Sequence, residues 1–426
     1  MTKKKLHNIC TKQLDPRLDP IKLYSHFANK KNTALLAGKG KKDNSRYSFI
    51  GLNPFYRSKP KTDPFNEFQK LIDQFSVKKY RYPANLWGGI GYFSYDACHF
   101  VEKLPKSNPD HLKMPVFQMV FFKDMIVFDH HKGKNYLVQV DVGDGFSDFE
   151  IPGYVPGDFE VKGKIECDSK FKYIKKVKKI KDYIVEGDVY EVNLTHKCTS
   201  DFKGDPFAIF QKLFKLNSAP FSAYLPFDDF TIISNSPERF ILAEKDKLET
   251  RPIKGTLPRS EPRSKLKNSI KDEAELSMIV DLMRNDFGKV CEYGSVKVKE
   301  HKRIEGYKNV WQMLSIVEGR LKPEESYGTL MRACFPGGSI TGCPKIRSME
   351  LIDEIEDYTR NLYTGSIFIA NDQRMDSSIV IRTIIINKNK LTFNVGGAVV
   401  FDSDPESEYQ ETLDKAHNII NVLKNG

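Results

Sequence analysis

The sequence predicts an α+β protein in which antiparallel strands are accompanied by helices. Short apolar runs separated by glycine and proline fill the first part of the chain, at residues 87–95 (WGGIGYFSY), 114–129 and 135–142. Runs of this length and alternation are typical of antiparallel strands. The later part mixes such strands with helical patterns, of which residues 270–287 and the segment from Pro405 onward are clear examples.

The composition indicates a globular protein. The 426 residues are 40% hydrophobic and 12% aromatic, and 67 basic against 56 acidic residues give a net charge of +11. That charge permits contact with nucleic acid, but a basic field also suits an enzyme with anionic substrates. Residues 171–184 form a lysine-rich helical pattern with Phe171, Ile174, Val177, Ile180 and Ile184 at helical spacing. We expect a solvated lysine face there and no nucleic-acid partner.

The sequence predicts a cytoplasmic protein without a membrane partner. No stretch reaches the roughly 18–20 consecutive apolar residues that span a bilayer, and no apolar run follows the basic N-terminal segment. The seven cysteines are scattered and form no CxxC pair. We therefore expect reduced thiols and no zinc site.

One segment predicts a boundary in the chain. Residues 143–164 are rich in Gly, Pro and acidic residues and poor in periodic apolar ones. They predict a linker between a region at 1–155 and a region at 165–426, which we expect to be interleaved in one structural unit.

Two helical segments carry carboxylates whose roles the pattern leaves open. In 270–287 the predicted apolar stripe is Ala274, Met278, Ile279, Leu282 and Met283. Glu275 lies at its margin, so it is paired, ligated or pointing past the edge, and periodicity favours the edge. In the last helix, capped by Asp404, Glu408 and Glu411 share a face near the N-terminus. They either complement the helix dipole or bind a hard cation such as Mg²⁺.

Three further features have two interpretations each. The glycines of VGGAVV (395–400) indicate close approach of the backbone to a ligand, or tight packing. Arg382 lies in a nearly all-apolar predicted strand, where it needs a ligand carboxylate or an internal salt bridge. Lys254, in RPIKGTLPR, is a solvated loop lysine or a nucleophile.

GGSITGCPK (337–345) lacks the ending of a phosphate loop, which argues against an NTPase.

Ten motifs occur in one order along the chain. They are RYSFIGLNP, GGIGYFSYD, GDVYEVNLT, SNSPERF, RPIKGT, AELSMIVDLMRND, FPGGSITGCPK, LYTGSIF, IRT and DSDPESEYQET. Together they resemble the chorismate-utilising enzymes, the family of anthranilate synthase and aminodeoxychorismate synthase component I. The resemblance implies two large antiparallel sheets packed together with helices outside.

The residue after "PI" separates branches of that family. Anthranilate synthases usually read PIAGT, whereas Lys254 resembles the aminodeoxychorismate synthase branch of p-aminobenzoate and folate biosynthesis. The resemblance implies that Lys254 attacks C2 of chorismate and expels the C4 hydroxyl, after which ammonia adds at C4. Keeping a lysine neutral at pH 7 costs roughly 4–5 kcal/mol. We expect Arg251, a bound Mg²⁺ and partial burial to reduce that cost.

The resemblance also implies roles by position. Glu238 resembles the general acid for the departing hydroxyl, and Tyr363 with Arg382 resembles the clamp on the enolpyruvyl carboxylate. The expected Mg²⁺ ligands are Glu275, Glu408 and Glu411. The expected substrate-binding residues are Gly255, Thr256, Tyr363, Arg382, Gly396, Gly397 and Lys415.

Four positions depart from the family patterns. Ala398 replaces a glycine, which puts the loop in doubt if that position needs a positive φ. Gln312 replaces the histidine tied to pyruvate elimination, which favours a product that keeps its enolpyruvyl group. LLAG (35–38) replaces the LLES tryptophan-feedback element, so we expect no such inhibition. Glu191 replaces a water-activating lysine, which argues against water as the nucleophile.

No cysteine loop of the glutaminase type occurs in the sequence, so we expect free ammonia or a separate glutamine amidotransferase subunit in a heterodimer. Anthranilate synthase component I is the alternative activity, which Lys254, Gln312 and residues 35–38 disfavour. A non-catalytic member of the family and a nucleic-acid-binding module are the alternatives from other classes.

Overall fold

The computed structural model describes residues 8–38, 45–58, 62–76, 81–146, 149–151, 153 and 157–424. The helices within these residues are α1 (Pro20–Ser25), α2 (Pro64–Gln74), α3 (Lys170–Val185), α4 (Pro206–Leu216), α5 (Arg263–Lys267), α6 (Ile270–Val290), α7 (Tyr327–Cys334), α8 (Lys345–Ile355) and α9 (Pro405–Lys424).

The strands of the first half of the chain are β1 (Asn8–Leu14), β2 (Ala34–Ala37), β3 (Tyr47–Arg57), β4 (Gly89–Phe93), β5 (Phe117–Asp129), β6 (Lys134–Asp141), β7 (Phe159–Cys167) and β8 (Glu191–Gly204). Those of the second half are β9 (Phe221–Pro226), β10 (Phe230–Ser236), β11 (Arg239–Glu244), β12 (Lys247–Arg251), β13 (Ile253–Pro258), β14 (Lys297–Gly306), β15 (Val310–Arg320), β16 (Gly342–Cys343), β17 (Ser366–Ala370), β18 (Arg374–Ile379), β19 (Thr383–Asn387) and β20 (Lys390–Val399).

The strands pair antiparallel in one connected network. Strand β17 pairs with β4, and β2 pairs with β9, so strands from the two predicted regions lie side by side. Strand β8 is the longest at 14 residues and pairs with β7, β16 and β20. The predicted α+β class with large antiparallel pairing and helices is confirmed.

Helix α9 has the predicted start. The Asp404 carboxylate accepts a hydrogen bond of 2.9 Å from the Ser407 amide, and Pro405 takes the first helical position. The apolar residues Ala416, Ile419 and Leu423 lie in a core shared with β20 and α4. Among the described residues, no helix has the length and apolar composition needed to span a lipid bilayer.

The predicted apolar faces of two helices are partly wrong. In α3, Phe171 is 80% exposed, whereas Tyr173 is buried against His196 and Tyr409. Lys176 is buried with Asp168 and Asp357 as partners, so the lysine face is not wholly solvated.

In α6 the buried stripe runs from Leu276 through Ile279 and Met283 to Phe287, and Ala274 is exposed. The buried stripe is rotated from the predicted one, because Ala274 and Leu276 lie about 200° apart on the helix and the larger Leu276 takes the side that faces the core.

The structure also corrects the predicted linker and the expected thiols. Strand β7 begins inside the predicted linker, at Phe159, and pairs with β8. Cys167 lies directly opposite Cys198 in this pairing, and the two form a disulfide with a Cα–Cα distance of 4.2 Å. Directly opposite residues point to one face of a sheet, a proximity that 31 residues of sequence separation conceal.

A buried ion pair connects the segment that follows α8 to strand β8. The Arg360 guanidinium donates to both Glu356 carboxylate oxygens, at 2.9 and 2.7 Å, and both side chains are 1% exposed. The same guanidinium donates to the carbonyl oxygens of Ile340 and Asn193. The folded backbone therefore holds these acceptors in position around the Arg360 guanidinium.

We expect Arg360→Met to lower the free energy of unfolding by about 3–5 kcal/mol, because the Glu356 carboxylate stays buried without its cation. Urea denaturation measures the change. Arg347→Met is the control, since Arg347 and its partner Asp188 are 35% and 36% exposed, and it should cost at most about 1 kcal/mol. Equal effects of the two substitutions would contradict this assignment.

Candidate active site

Lys254 is a buried lysine at the start of β13. Its Nζ donates to Glu191 Oε1 at 2.8 Å and lies 3.5 Å from Glu275 Oε2. The side chain is 10% exposed. A bulge follows it, where Gly255 has a φ of +77° and packs against Leu266 and Asp272 of α5 and α6. Lys254 is thus no solvated loop lysine.

The carboxylates around Lys254 keep it charged. Burial by itself lowers the pKa of Lys254, but Glu191 and Glu275 outweigh burial, and the pKa is raised above its usual value. The pKa of Lys254 is therefore not lowered in the chain without bound ligands, contrary to the expectation based on Arg251. The Arg251 guanidinium instead donates to Glu249 at 2.7 and 2.9 Å.

Glu191 is the acidic partner that the sequence did not reveal. It begins β8 with a fully buried side chain, and its Oε2 has no hydrogen-bond partner in the described part of the chain. The Ser348 hydroxyl donates to its carbonyl oxygen at 3.0 Å. In the sequence, position 191 stood out only because it lacks a lysine. Its contact with Lys254 joins residues 63 apart, so no local pattern reveals it.

Glu238 lies between β10 and β11 with a buried side chain. Burial raises the pKa of Glu238 to about 7, although the Ser339 hydroxyl and the charge of Lys254 oppose that shift. The Ser339 hydroxyl donates to Glu238 Oε1 at 2.8 Å. Ser339 belongs to the GGSITG segment, which the sequence analysis only excluded as a phosphate loop. A carboxyl with this pKa can donate a proton near neutral pH.

Arg382 is near Glu238 but in a different backbone setting from the predicted one. The predicted strand is broken, because β18 ends at Ile379 and β19 begins at Thr383, and Arg382 between them has a φ of +52°. Within the described residues its guanidinium has no hydrogen-bond or ion-pair partner. The internal salt bridge considered from the sequence is therefore not formed, which leaves this cation available to an anionic ligand.

Two lysines separate three carboxylates at the junction of α6 and α9. Lys271 Nζ lies 3.9 Å from Glu275 Oε1 and 3.7 Å from Glu408 Oε1. Lys415 Nζ lies 2.6 Å from Glu411 and donates to the Gly396 carbonyl at 3.0 Å. Ammonium groups thus occupy the space among the acids that the sequence assigned to Mg²⁺.

The donor set fits a hard cation in chemistry. Glu408 Oε2 is buried without a partner among the described residues. A Cβ at Gly397 would lie 3.4 Å from Glu408 Oε2 and 3.5 Å from Glu411 Oε1, so glycine keeps that space open. The oxygens of Glu275, Glu408 and Glu411 do not all lie within 4.8 Å of one another. A cation would have to draw them together and displace the Lys271 ammonium.

The glycines of β20 serve different purposes. A Cβ at Gly396 would lie 2.4 Å from the Leu194 carbonyl oxygen, so that glycine is required by packing against β8. Gly397 instead faces the carboxylates. Ala398 pairs with Asn193 and has no positive φ, so the alanine fits the strand without strain.

Two predicted residues lie apart from the charged cluster. Thr256 is exposed on β13, and Tyr363 is buried next to Arg360. Among the described residues, neither hydroxyl hydrogen-bonds to the cluster. Residues 36–38 of the LLAG segment line a separate cleft with a volume of about 60 Å³, together with Arg374 and Asp376.

Comparisons with known proteins identify the family of the chain. The model of a chorismate binding enzyme matches residues 31–421. The chain is 39% identical over 352 residues to aminodeoxychorismate synthase component 1 of Salmonella typhimurium, covering 79% of this chain and 77% of that protein. It is 35% identical over 369 residues to an anthranilate synthase component 1 of Haloarcula marismortui, covering 79% and 76%.

A solved structure is similar as well. The crystal structure of anthranilate synthase component I from Streptococcus pneumoniae superposes with a TM-score of 0.75 at 26% identity, covering 89% of this chain and 93% of that one. The chain belongs to the family of chorismate-binding enzymes. It is a chorismate-utilising enzyme, and its relatives include proteins named aminodeoxychorismate synthase component 1.

We expect Glu238→Gln to change how stability depends on pH. The folded-state pKa of about 7 lies above the ordinary 4.5, so the stability contributed by the protonated carboxyl is complete below pH 4.5 and is lost as pH rises through 7. Glutamine cannot ionise. The variant should therefore gain stability relative to the native chain between these pH values, on the order of 3 kcal/mol.

Urea denaturation at a series of pH values measures this difference. Glu160→Gln, at an exposed position of β7, is the control and should stay within about 0.5 kcal/mol throughout. A pH-independent difference for Glu238→Gln would show that its carboxyl does not titrate in this range.

Proposed function

We propose that the chain is component I of an aminodeoxychorismate synthase, which converts chorismate and ammonia to 4-amino-4-deoxychorismate on the route to p-aminobenzoate and folate. The observation that carries the proposal is the buried Lys254, held by Glu191 and close enough to Glu238 for their charges to interact. A nucleophile, a proton acceptor and a proton donor are thereby gathered in one water-poor site. The similarity to relatives named aminodeoxychorismate synthase component 1 supports the proposal.

The first chemical step assigns one role to each of these three groups. Lys254 passes a proton to Glu191 across their 2.8 Å hydrogen bond and becomes a neutral amine. Its Nζ then forms a bond to C2 of chorismate, both ring double bonds shift, and the C4–O bond breaks. Glu238 gives its proton to the departing hydroxyl, which leaves as water.

The second step reverses the first with a different nucleophile. Ammonia forms a bond to C4, both ring double bonds shift back, and the bond between C2 and Lys254 breaks. The Glu238 carboxylate receives the proton that the added nitrogen loses, which restores the acid. Lys254 and Glu191 return to their starting state with no net change in protons.

The remaining residues bind and orient the substrate. Arg382, which has no hydrogen-bond or ion-pair partner among the described residues, supplies a cation for a substrate carboxylate. Mg²⁺ held by Glu275, Glu408 and Glu411 would balance the charge of the ring carboxylate. Gln312 is buried in β15, and its neutral amide does not act as an acid or a base near neutral pH. Its amide is consistent with a product that keeps the enolpyruvyl group.

The ammonia would come from a separate partner. We propose a glutamine amidotransferase subunit that forms a heterodimer with this chain, and free ammonium as its substitute in solution. Anthranilate synthase component I is the second candidate, since relatives with that name are also similar to this chain. The products distinguish the two activities.

The decisive prediction concerns product and adduct. With chorismate, Mg²⁺ and ammonium at alkaline pH, the purified chain should form 4-amino-4-deoxychorismate, identified by mass spectrometry. Lys254→Ala should abolish turnover and the covalent adduct on the protein. Lys254→Arg should do the same while keeping the positive charge between Glu191 and Glu275, because a guanidinium stays protonated.

Lys265→Ala is the matched control, since Lys265 lies on the neighbouring helix α5 and is 64% exposed. It should leave both readouts unchanged. Formation of anthranilate and pyruvate would refute the proposed product, and an adduct that persisted in the Lys254 variants would refute the proposed nucleophile.

A further prediction concerns the charge state of Lys254. Because the Glu191 carboxylate raises the pKa of Lys254, Glu191→Gln should lower it. A limiting amount of a small amine-acylating reagent, followed by peptide mass spectrometry, gives the pH at which Lys254 becomes reactive. That midpoint should move to lower pH in the variant.

Glu273→Gln is the control, because Glu273 lies on α6 and pairs with Lys302, away from Lys254. Its midpoint should match that of the native chain. An unchanged midpoint in Glu191→Gln would mean that this carboxylate does not govern the protonation of Lys254.

A further inference from the structure

Three metal-binding side chains meet where β7 and β8 pair. A ligand atom from each of Cys167, His196 and Cys198 lies within 4.8 Å of the others, the single such group of three among the described residues. His196 and Cys198 are two residues apart on β8, so their side chains point to the same face. Cys167 joins them from the opposite position on β7. No residue of this group takes part in the proposed reaction.

Hydrogen bonding fixes the tautomer of His196. The Thr412 hydroxyl lies 2.9 Å from His196 Nε2 and donates its own proton to the Tyr409 carbonyl at 2.7 Å. With the Thr412 proton placed on the Tyr409 carbonyl, the consistent assignment puts the imidazole hydrogen on Nε2, which donates to Thr412. Nδ1 is then left as a bare lone pair.

That lone pair has no donor. His196 is fully buried, and its Nδ1 has no hydrogen-bond partner in the described part of the chain. Burial lowers the pKa of His196 to about 4, so the ring is neutral at physiological pH. A buried acceptor without a donor is rare in folded proteins. A neutral imidazole held through its other nitrogen is the usual state of a metal-binding histidine.

We propose that Cys167, His196 and Cys198, when the disulfide is reduced, form a binding site for one Zn²⁺ ion. Two thiolates and an imidazole nitrogen are ligands that zinc prefers, and a water completes a tetrahedral set. Cys167 is half-buried, whereas His196 and Cys198 are buried, so Cys167 is the most accessible of the three ligands. Among the described strands β7 pairs only with β8.

The binding step is balanced in charge and protons. A dithiol or phosphine reductant supplies two electrons, and the disulfide becomes two thiols by taking up two protons. Zn²⁺ then displaces both thiol protons, and two thiolates with a neutral imidazole give an uncharged site. Oxidation to the disulfide removes both sulfur ligands, so the disulfide and the metal site exclude each other. No sequence pattern indicated this site, because its ligands lack the CxxC spacing of common zinc sites.

The full chain, reduced with a phosphine and freed of reductant under anaerobic conditions, provides the test. Titration with Co²⁺ should produce a thiolate-to-cobalt charge-transfer absorption that saturates at one equivalent, and Zn²⁺ should displace it. Carboxylate-bound Co²⁺ lacks that absorption, so binding near Glu408 does not interfere. The oxidised chain should show no charge-transfer absorption.

Variants distinguish a built site from adventitious binding by thiols. Cys167→Ser, at the half-exposed position, and His196→Gln should each weaken Co²⁺ binding at least 100-fold. Thr412→Val, which releases the imidazole, should weaken it about ten- to hundred-fold. Cys10→Ser, which removes an exposed free cysteine on β1, should have no effect. Circular dichroism confirms that each variant is folded.

Two results would overturn the proposal. One is a reduced native chain that gives no charge-transfer absorption with Co²⁺. The other is a folded His196→Gln chain that binds Co²⁺ as tightly as the native one. Neither depends on chorismate turnover, so the outcome is separate from that of the proposed function.

Discussion

The ammonium of Lys254, buried between the carboxylates of Glu191 and Glu275, is the interaction on which the candidate site depends. It joins strand β13 to strand β8 and to helix α6. Removing charges from water is costly, and the three groups tolerate burial only together. The same carboxylates that hold the lysine in place also keep it protonated. In the proposed reaction, stability and nucleophilicity therefore oppose each other at Lys254 Nζ, and proton transfer to Glu191 would reconcile them.

Much of the fold could be predicted because it follows from local patterns. Alternating apolar runs marked strands such as β4 and β5, and Asp404 with Pro405 marked the start of α9. The errors arose where side chains of different size compete for one face. Helical spacing placed Phe171 on the buried face of α3. In the structure Tyr173 is on the buried face instead, where its ring contacts His196 and Tyr409. Periodicity gives the width of an apolar face but not its rotation.

The candidate site was predictable as a set of residues and not as an arrangement. Motif order identified Lys254, Glu238 and the acids of α6 and α9. It missed that Glu191 pairs with Lys254 and that Lys271 separates Glu275 from Glu408. These contacts join strands and helices that are remote in sequence, so no local pattern encodes them. The disulfide between Cys167 and Cys198 escaped prediction for the same reason.

The position of α9 in the chain has a consequence for synthesis. This helix supplies Glu408, Glu411 and Lys415 to the charged cluster and closes the core over β20 and α4. A ribosome-bound chain lacking residues 405–424 would hold β20 with its apolar side uncovered. Pairings such as that of β4 with β17 likewise wait for distant residues to emerge. Such topologies fold late and expose apolar surface meanwhile. The nascent chain therefore exposes this apolar surface of β20 until α9 has emerged and packed.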